Sequence, residues 1–522
     1  MRNGTLFSYA KDNYQKFFYV INKKNYIFRA TLINADGIIV ELQKDAIIDL
    51  TFNDKLFNPF IDGYMTVDNT DDVIERYVST LKDTEFNNAL LERGYKTRGD
   101  ARDILLLSII PTDPSNNPYD DSLTSYNQAF GLQYAFVIVD EMDIATPTGK
   151  AKRYKIKDLD EQILKEKKIF FSTASLSKNK NVAFLSDTDR KAHTGDAMKE
   201  ILYKGLGINT VITGDDTGTT PYFESGASKI FYSSPNNNTA LDDLYYIYKY
   251  HVSNSTGKDF SFLQKDNYTG EYYLESASSI FSKAFDKKND AGGEYFIENL
   301  TITGTQNQFN SNVTENDTKK PLYALEFGET SDIIDVKFFN TPGDAYQENV
   351  KSVFVHSYNF EDKAFDIDQT TGNIENVKED FTKYFVTPLK GKNNGNPSPN
   401  FIINNTHKTN QSFENAFLVY SNSQNDYLKQ AVGKNAVLKN ALKLNLGVEI
   451  TVQGGIQRKS GLFLSVDRRG SYVDNDFDNK FLGIYLILQV THNFTGNNDF
   501  TTKIMAVKTY HFTDPHINEN IS

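Results

Sequence analysis

The apolar residues of this chain come in short runs punctuated by Gly, Asn, Asp and Pro, and that spacing confines it to a fold of many brief strands. Toward the amino terminus the runs are Ile38–Leu42, Ile47–Phe52 and Asp103–Ile110. From Val448 onward strand follows strand: Val448–Val452 alternates, then come Leu462–Val466, Phe481–Val490 and Phe500–Val507. Between the last two, Phe494–Asn498 supplies the Gly and Asn that a hairpin turn needs for positive φ. Spacing and turns predict a small antiparallel barrel or sandwich at this end. The longest apolar runs, such as Ile104–Leu107 and Ile484–Leu488, fall far short of the roughly 20 residues that a bilayer-crossing helix needs. Met1–Thr5 leads into an aromatic, charged stretch without the apolar centre of a signal peptide. A soluble chain with no membrane anchoring is expected.

Helical spacing is confined to a few places. Asp71–Val78 opens on acidic residues and continues with apolar positions one turn apart, and a short helix is expected near Asp160–Lys165. Asp196–Tyr203 has an Asp able to cap its first amides, and Gly205 stands where a left-handed C-terminal cap belongs. In Leu241–His251, Leu241, Leu244, Tyr245 and Tyr248 follow the i, i+3, i+4, i+7 rule, and Thr239 with Asp242 forms a variant capping box. Gln133–Asp140 and Ile169–Ser172 read as further strands. Pro111 closes the first block, and the polar stretches 111–127, 213–220, 287–293, 304–320 and 391–411 are the expected boundaries or surface excursions. No fixed-period repeat is present. At 522 residues, three or four domains are expected from a norm of about 150 each.

Composition removes most chemistries. There is no cysteine, so disulfides, thiolate metal sites, iron–sulfur clusters and a cysteine nucleophile are excluded together. The histidines, at 193, 251, 356, 407, 492, 511 and 516, never fall four apart on a helix as a zinc protease requires. His251 ends a helix, where a cation suits the dipole, and His492 lies at a strand end; both are read as structural. No nucleophile elbow, Walker loop or dinucleotide fingerprint occurs. Asp474, Asp476 and Asp478 alternate as in a calcium loop, but Asn479 and Tyr485 occupy the positions that need Gly and Glu, so a solvated hairpin tip is the preferred reading and an ion there is left open. A glycosidase pair of carboxylates has no sequence spacing by which to be recognised. With 38 Phe and 31 Tyr the chain can build cores and is not disordered. A net charge of -12 and a pI near 5.2 disfavour tight nucleic-acid binding and suit an acidic wall past which DNA slides.

The carboxy-terminal phrases have an order of their own. Leu444–Gly447 precedes a strand, Arg458-Lys459-Ser460-Gly461-Leu462 opens the next, Asp476–Gly483 leads into Tyr485–Leu488, then come Val490-Thr491-His492-Asn493-Phe494 and a final Phe-Thr-Thr strand. This order resembles the closing barrel of central baseplate hub proteins of contractile-tailed bacteriophages, a family related to the hub part of type VI secretion spikes, whose phrases read R-x-x-G, L-x-G-x-Y and V-x-H-x-F. Lys155–Leu159 with Phe170–Ala174, Asp196–Tyr203, Tyr250–Ser253, Asp259–Leu263 and Tyr268–Leu274 with Ile280-Phe281 are similar to upstream segments of that family. Between about 287 and 430 there is no resemblance.

What the resemblance implies is an α+β, mostly β chain with two tube-like antiparallel β-barrel domains and intervening mixed α/β insertions. The divisions expected are 1–112 for the first barrel, 113–300 for a mixed α/β hub domain, 301–435 for an insertion or decorating domain of unknown fold, and 436–522 for the closing part of the second barrel. It further implies a structural virion protein, a homotrimer ringing the central channel, that adapts a six-fold tail tube to a three-fold spike. Its partners would be the tail tube protein, the spike and other baseplate proteins, its place the virion baseplate after assembly in the host cytoplasm. No catalytic residue, cofactor or metal is called for, and DNA would pass through without specific binding. The alternatives are a peripheral or receptor-binding tail protein and a tail-associated cell-wall hydrolase.

Overall fold

The computed structural model describes residues 17–21, 24–33, 39–42, 46–69, 103–112, 132–146, 149–177, 190–206, 223–253, 260–265, 270–277, 280, 297–303, 333–339, 353–359, 364–370, 416–421, 446–455, 458–469, 483–495 and 500–508. The chain is mostly β. Its strands are β1 (Phe17–Ile21), β2 (Lys24–Ile33), β3 (Ile39–Leu42), β4 (Ile47–Lys55), β5 (Asn58–Asp68), β6 (Ile104–Thr112), β7 (Leu132–Thr146), β8 (Gly149–Asp158), β9 (Ala192–His193), β10 (Lys229–Ile230), β11 (Ser261–Lys265), β12 (Tyr272–Ser276), β13 (Ile297–Thr303), β14 (Ile333–Phe339), β15 (Val353–Asn359), β16 (Ala364–Thr370), β17 (Ala416–Ser421), β18 (Gly447–Gln453), β19 (Phe463–Arg469), β20 (Gly483–Thr495) and β21 (Phe500–Lys508). Among the described residues, three α-helices, α1 (Leu159–Glu166), α2 (Thr194–Leu206) and α3 (Ala240–Lys249), lie between β8 and β11.

One sheet of 14 strands carries both ends of the chain, in the order β1-β2-β6-β7-β8-β5-β4-β20-β21-β18-β14, with β3 beside β2 and β13 and β19 reached through β20. Its pairings are antiparallel except β13 with β19. β15, β16 and β17 form a separate sheet of three. The junction of the two ends is β20. One edge of β20 pairs with β21, and the other is shared: Gly483–Leu486 take β19, and Gln489–Thr495 take β4.

Alternation along the strands sorts their apolar side chains into separate cores. Leu105, Leu107, Tyr134, Phe136, Leu50 and Phe52 point into one cluster made almost wholly of the amino-terminal strands, which Phe494 and Phe500 join. Val448, Ile450, Leu464, Tyr485, Ile487, Val490 and Ile504 fill a second, under the carboxy-terminal strands. Ile104, Leu106, Ala135 and Val137, one residue out of step, face a third cluster that takes in the helices, together with Phe463, Leu486 and Val507. A period of two with both faces buried is what these short aliphatic runs demand.

α3 begins as its sequence requires: Thr239 Oγ1 accepts from the Asp242 N–H and the Asp242 carboxylate accepts from the Thr239 N–H. α1 is capped by Asp158, which accepts from the Asp160 N–H at 2.8 Å. Two expectations are corrected. Gly205 lies within α2 and is no cap; a Cβ there would collide with Leu164 of α1, so the glycine lets the two helices close up. Ile169–Ser172 is no strand; it runs extended, but only Ser172 forms a bridge, to Ser233, because helices rather than strands flank it. Asp71–Val78, Asp474–Asp478 and the polar stretches 213–220, 287–293, 304–320 and 391–411 lie outside the described residues.

Candidate functional site: a polar face across the seam

The residues that alternate with the core positions make a second pattern. On the face turned away from Leu50, Phe52 and Val490, one row runs across seven strands as Lys157 (β8), Asp62 (β5), Asn53 (β4), Thr491 (β20), Lys503 (β21), Thr451 (β18) and Asp335 (β14). A neighbouring row joins Asp140, Lys155, Tyr64, Thr51, Asn493 and Thr501. The side chains are bonded to one another along the rows. Thr491 Oγ1 donates to Asn53 Oδ1 at 2.8 Å, Asn53 Nδ2 to Asp62 Oδ1 at 3.0 Å, Lys55 Nζ to Asp62 Oδ2 at 2.8 Å, and Thr51 Oγ1 to Asn493 Oδ1 at 2.8 Å. Lys503 pairs with Glu449 at 2.9 Å, and Arg153 lies over the Tyr64 ring. Cross-strand pairs of this kind hold register. Cations and anions alternate, so the face is of mixed charge.

The phrases that carry the sequence resemblance meet where this face crosses from one strand block to the other. Asp54 of β4 accepts from the Ser460 N–H at 2.9 Å and from its hydroxyl at 2.8 Å. Gly461 has φ +82°, and a Cβ there would strike Gln264. Its N–H donates to the Ile487 carbonyl. His492 is not at a strand end but mid-strand and buried, with its ring 4.9 Å from that of Phe52 and 5.8 Å from that of Phe500. Its Nε2 donates to the Arg458 carbonyl at 3.2 Å, and its Nδ1 accepts from Thr502 Oγ1 at 3.3 Å. Burial, reinforced by the nearby Arg458 charge, pushes its pKa down to about 3 against the opposing hydrogen bond, so the ring is neutral. Phe494 stacks on Phe500 at 4.0 Å.

A second polar assembly lies buried among the helices. His251 is no surface cation at a helix end: Nε2 is 2.8 Å from Glu224 Oε1 and Nδ1 is 2.9 Å from Thr194 Oγ1. The Ser228 hydroxyl donates to the Tyr250 carbonyl, so it accepts from Thr194, which must then accept from Nδ1. Nε2 faces the Glu224 carboxylate and Nδ1 faces the Thr194 hydroxyl, so both ring nitrogens are engaged. Burial raises the Glu224 pKa, but His251 and the hydroxyls of Ser261 and Ser253 outweigh it and hold the carboxyl below its usual range. Nearby, Lys265 Nζ bonds Asp158 at 2.8 Å and Asp160 at 3.0 Å, fastening β11 to the start of α1. Each of these residues is enclosed, which suits holding segments together.

Among the described residues no group of three His, Asp or Glu side chains gathers as a metal site would, and no helix is long and apolar enough to cross a membrane. Sequence reasoning missed Asn53, Asp54, Thr491, Ser460 and Glu224. Asn53 and Thr491 sit at the polar positions of alternating strands, a visible signal whose partner across the seam is not.

No protein-family model and no curated protein matches the chain. The solved structures similar to it include a tail protein from Neisseria meningitidis, at 8% identity and TM-score 0.44 over 92% of this chain and 96% of that one. A 43 kDa tail protein of a Shewanella oneidensis prophage is similar at 10% identity and TM-score 0.40, over 93% and 99%. A type VI secretion component of Escherichia coli is similar at 8% identity and TM-score 0.32, over 88% and 73%.

Proposed function

We propose that the chain is a structural subunit of a contractile phage tail, the central baseplate hub, and that three copies form a ring around the channel and join a six-fold tube to a three-fold spike. The observation that carries this reading is the polar face continuous across the β4–β20 seam. Two strand blocks with a core each present one hydrogen-bonded wall, and two such units in each of three chains make six. A polar wall of mixed charge lets a polyanion pass without holding it, since tight binding needs an excess of Lys and Arg.

In this reading 1–112 begins one tube-like barrel and 436–522 closes the other, 113–300 is the mixed α/β hub domain, and 301–435 decorates the outside. The buried His251 and Lys265 assemblies stiffen the helical part between them. The protein works by shape, without an active site, beside tail tube, spike and other baseplate proteins in the virion, after assembly in the host cytoplasm. Sedimentation equilibrium with negative-stain imaging tests this: a closed ring of about three times the 59.3 kDa chain mass is expected. A protein that stays monomeric alone and when mixed with its tube and spike proteins would overturn it.

A further inference from the structure

The strands on either side of the seam follow one pattern. β4 begins Ile47-Ile48-Asp49-Leu50-Thr51-Phe52-Asn53 and β14 reads Ile333-Ile334-Asp335-Val336-Lys337-Phe338-Phe339, identical at four of seven positions. Each bulges after its first isoleucine, which leaves the second, Ile48 or Ile334, 38% or 52% exposed. β7 and β20 match in the same way. The register to the following strand shifts between Ile138 and Asp140 in β7 and between Ile487 and Gln489 in β20. The Ile138 N–H donates to the Asp103 carbonyl at 2.8 Å, and the Ile487 N–H to the Leu462 carbonyl at 2.9 Å. Bulges at equal places make β7-β8-β5-β4 and β20-β21-β18-β14 two versions of one four-stranded unit.

The units differ in what their edges meet. β20 gives its first residues to β19 and from Gln489 onward takes β4. β7 gives its first residues to β6 as far as Val137. Among the described residues no strand lies along that edge of β7 from Asp140 onward, and none along the outer edge of β14. Bare strand edges are templates for pairing with another chain. Where β20 carries Val490 and the buried His492, β7 carries Glu141 and Asp143, both exposed, charges that restrain such an edge from indiscriminate pairing.

We infer that β14 of one copy pairs with the 140–146 stretch of β7 in a second copy, repeating between copies the seam that β4 and β20 make within one. The register follows from the β4–β20 pairs: Val336 stands opposite Ala145, Lys337 opposite Ile144, Phe338 opposite Asp143 and Phe339 opposite Met142. Strand direction agrees. The pairings that lead from β7 to β14 are seven and all antiparallel, so β14 runs opposite to β7. Rotation about a ring axis keeps that sense, and the new pair is antiparallel as β4 and β20 are. The polar face then continues from Asp335 and Lys337 onto Met142 and Asp140, and the Met142 thioether adapts to the Phe339 ring. The two edges are different, so the contact is head-to-tail, the kind that repeats into a ring. It rests on the reading of the chain as a ring-forming subunit.

The chain has no cysteine, so introduced thiols report alone. Under mild oxidation, protein carrying Ile144→Cys and Lys337→Cys is expected to link between chains at least about tenfold faster than protein carrying Glu141→Cys and Lys337→Cys, because directly opposite residues bring their Cβ atoms close and Glu141 lies on the other face of β7. Equal rates between folded proteins would overturn the pairing. Hydrogen exchange reads the same contact on unmodified protein: 140–146 and 333–339 are expected to exchange at least about tenfold more slowly in the assembled protein than in chains diluted to monomer, and unchanged exchange would also overturn it. A closed ring of three without preferred linkage defeats this pairing and leaves the hub reading standing, whereas preferred linkage in a particle that is no closed ring of three does the reverse.

Discussion

His492 gives the seam a pH dependence whose size follows from its surroundings. Its pKa is depressed to about 3 in the folded chain, against about 6.5 when unfolded. Between those values the unfolded chain holds one proton more than the folded one, so stability falls as the pH drops, by about 1.4 kcal/mol per pH unit at most. From pH 7 to pH 5 this amounts to about 2 kcal/mol. Other groups titrate over the same range, so the quantity to measure is a difference. His492→Phe keeps a ring between Phe52 and Phe500 but cannot be protonated. Urea unfolding of both proteins at pH 7, 6 and 5, followed by tyrosine fluorescence, is expected to show the wild type losing about 2 kcal/mol more than the variant. The variant also loses the bonds to Arg458 and Thr502, which lowers its stability at every pH without altering the difference. A difference that stays constant with pH would refute a buried, neutral His492.

Glu224→Ala strands His251 and two serine hydroxyls in the interior and is expected to cost about 3–5 kcal/mol, read as a lowered midpoint in urea. Because the Glu224 carboxyl is held below its usual range, its contribution is present above the unfolded value near 4.5 and is lost as the pH falls through the folded one. Calorimetry of wild type and Glu224→Gln from pH 7 to 3 should show the two converging in acid. Gly226→Ala forces a side chain onto φ +82° with its Cβ 2.6 Å from His251 Cε1; a loss of at least about 2 kcal/mol is expected, and an unchanged midpoint would contradict the packing described. Asp54→Ala and Ser460→Ala, combined in a double-mutant cycle, should couple by about 1–3 kcal/mol, since the two residues bond across the seam although 406 positions apart.

What the sequence revealed and what it hid divide by distance along the chain. β4, β6, β7 and the strands after Val448 were legible because alternation is local, and α3 because Thr239 and Asp242 cap it from within one turn. Gly205 misled because its role is set by Leu164 on another helix, and a glycine near a helix end has the same appearance whether it caps or makes room. Ile169–Ser172 has strand-forming residues but no strand to pair with beyond the Ser172 bridge. His251 has its charge partner at Glu224, 27 residues earlier, where no helical or strand period connects them. The seam was half visible: Thr51 and Asn53, Thr491 and Asn493, and Thr501 and Lys503 announce polar positions, but nothing local says that Asn53 meets Thr491, 438 residues on.

In the proposed ring, the polar face joined across β4 and β20 lines a closed channel. Electron cryomicroscopy of the purified ring, or of the baseplate that contains it, tests this most directly. Three copies are expected, with the row Asp62, Asn53, Thr491 and Lys503 turned toward the axis. A ring with this row on its outer surface, or a particle without a channel, would contradict it.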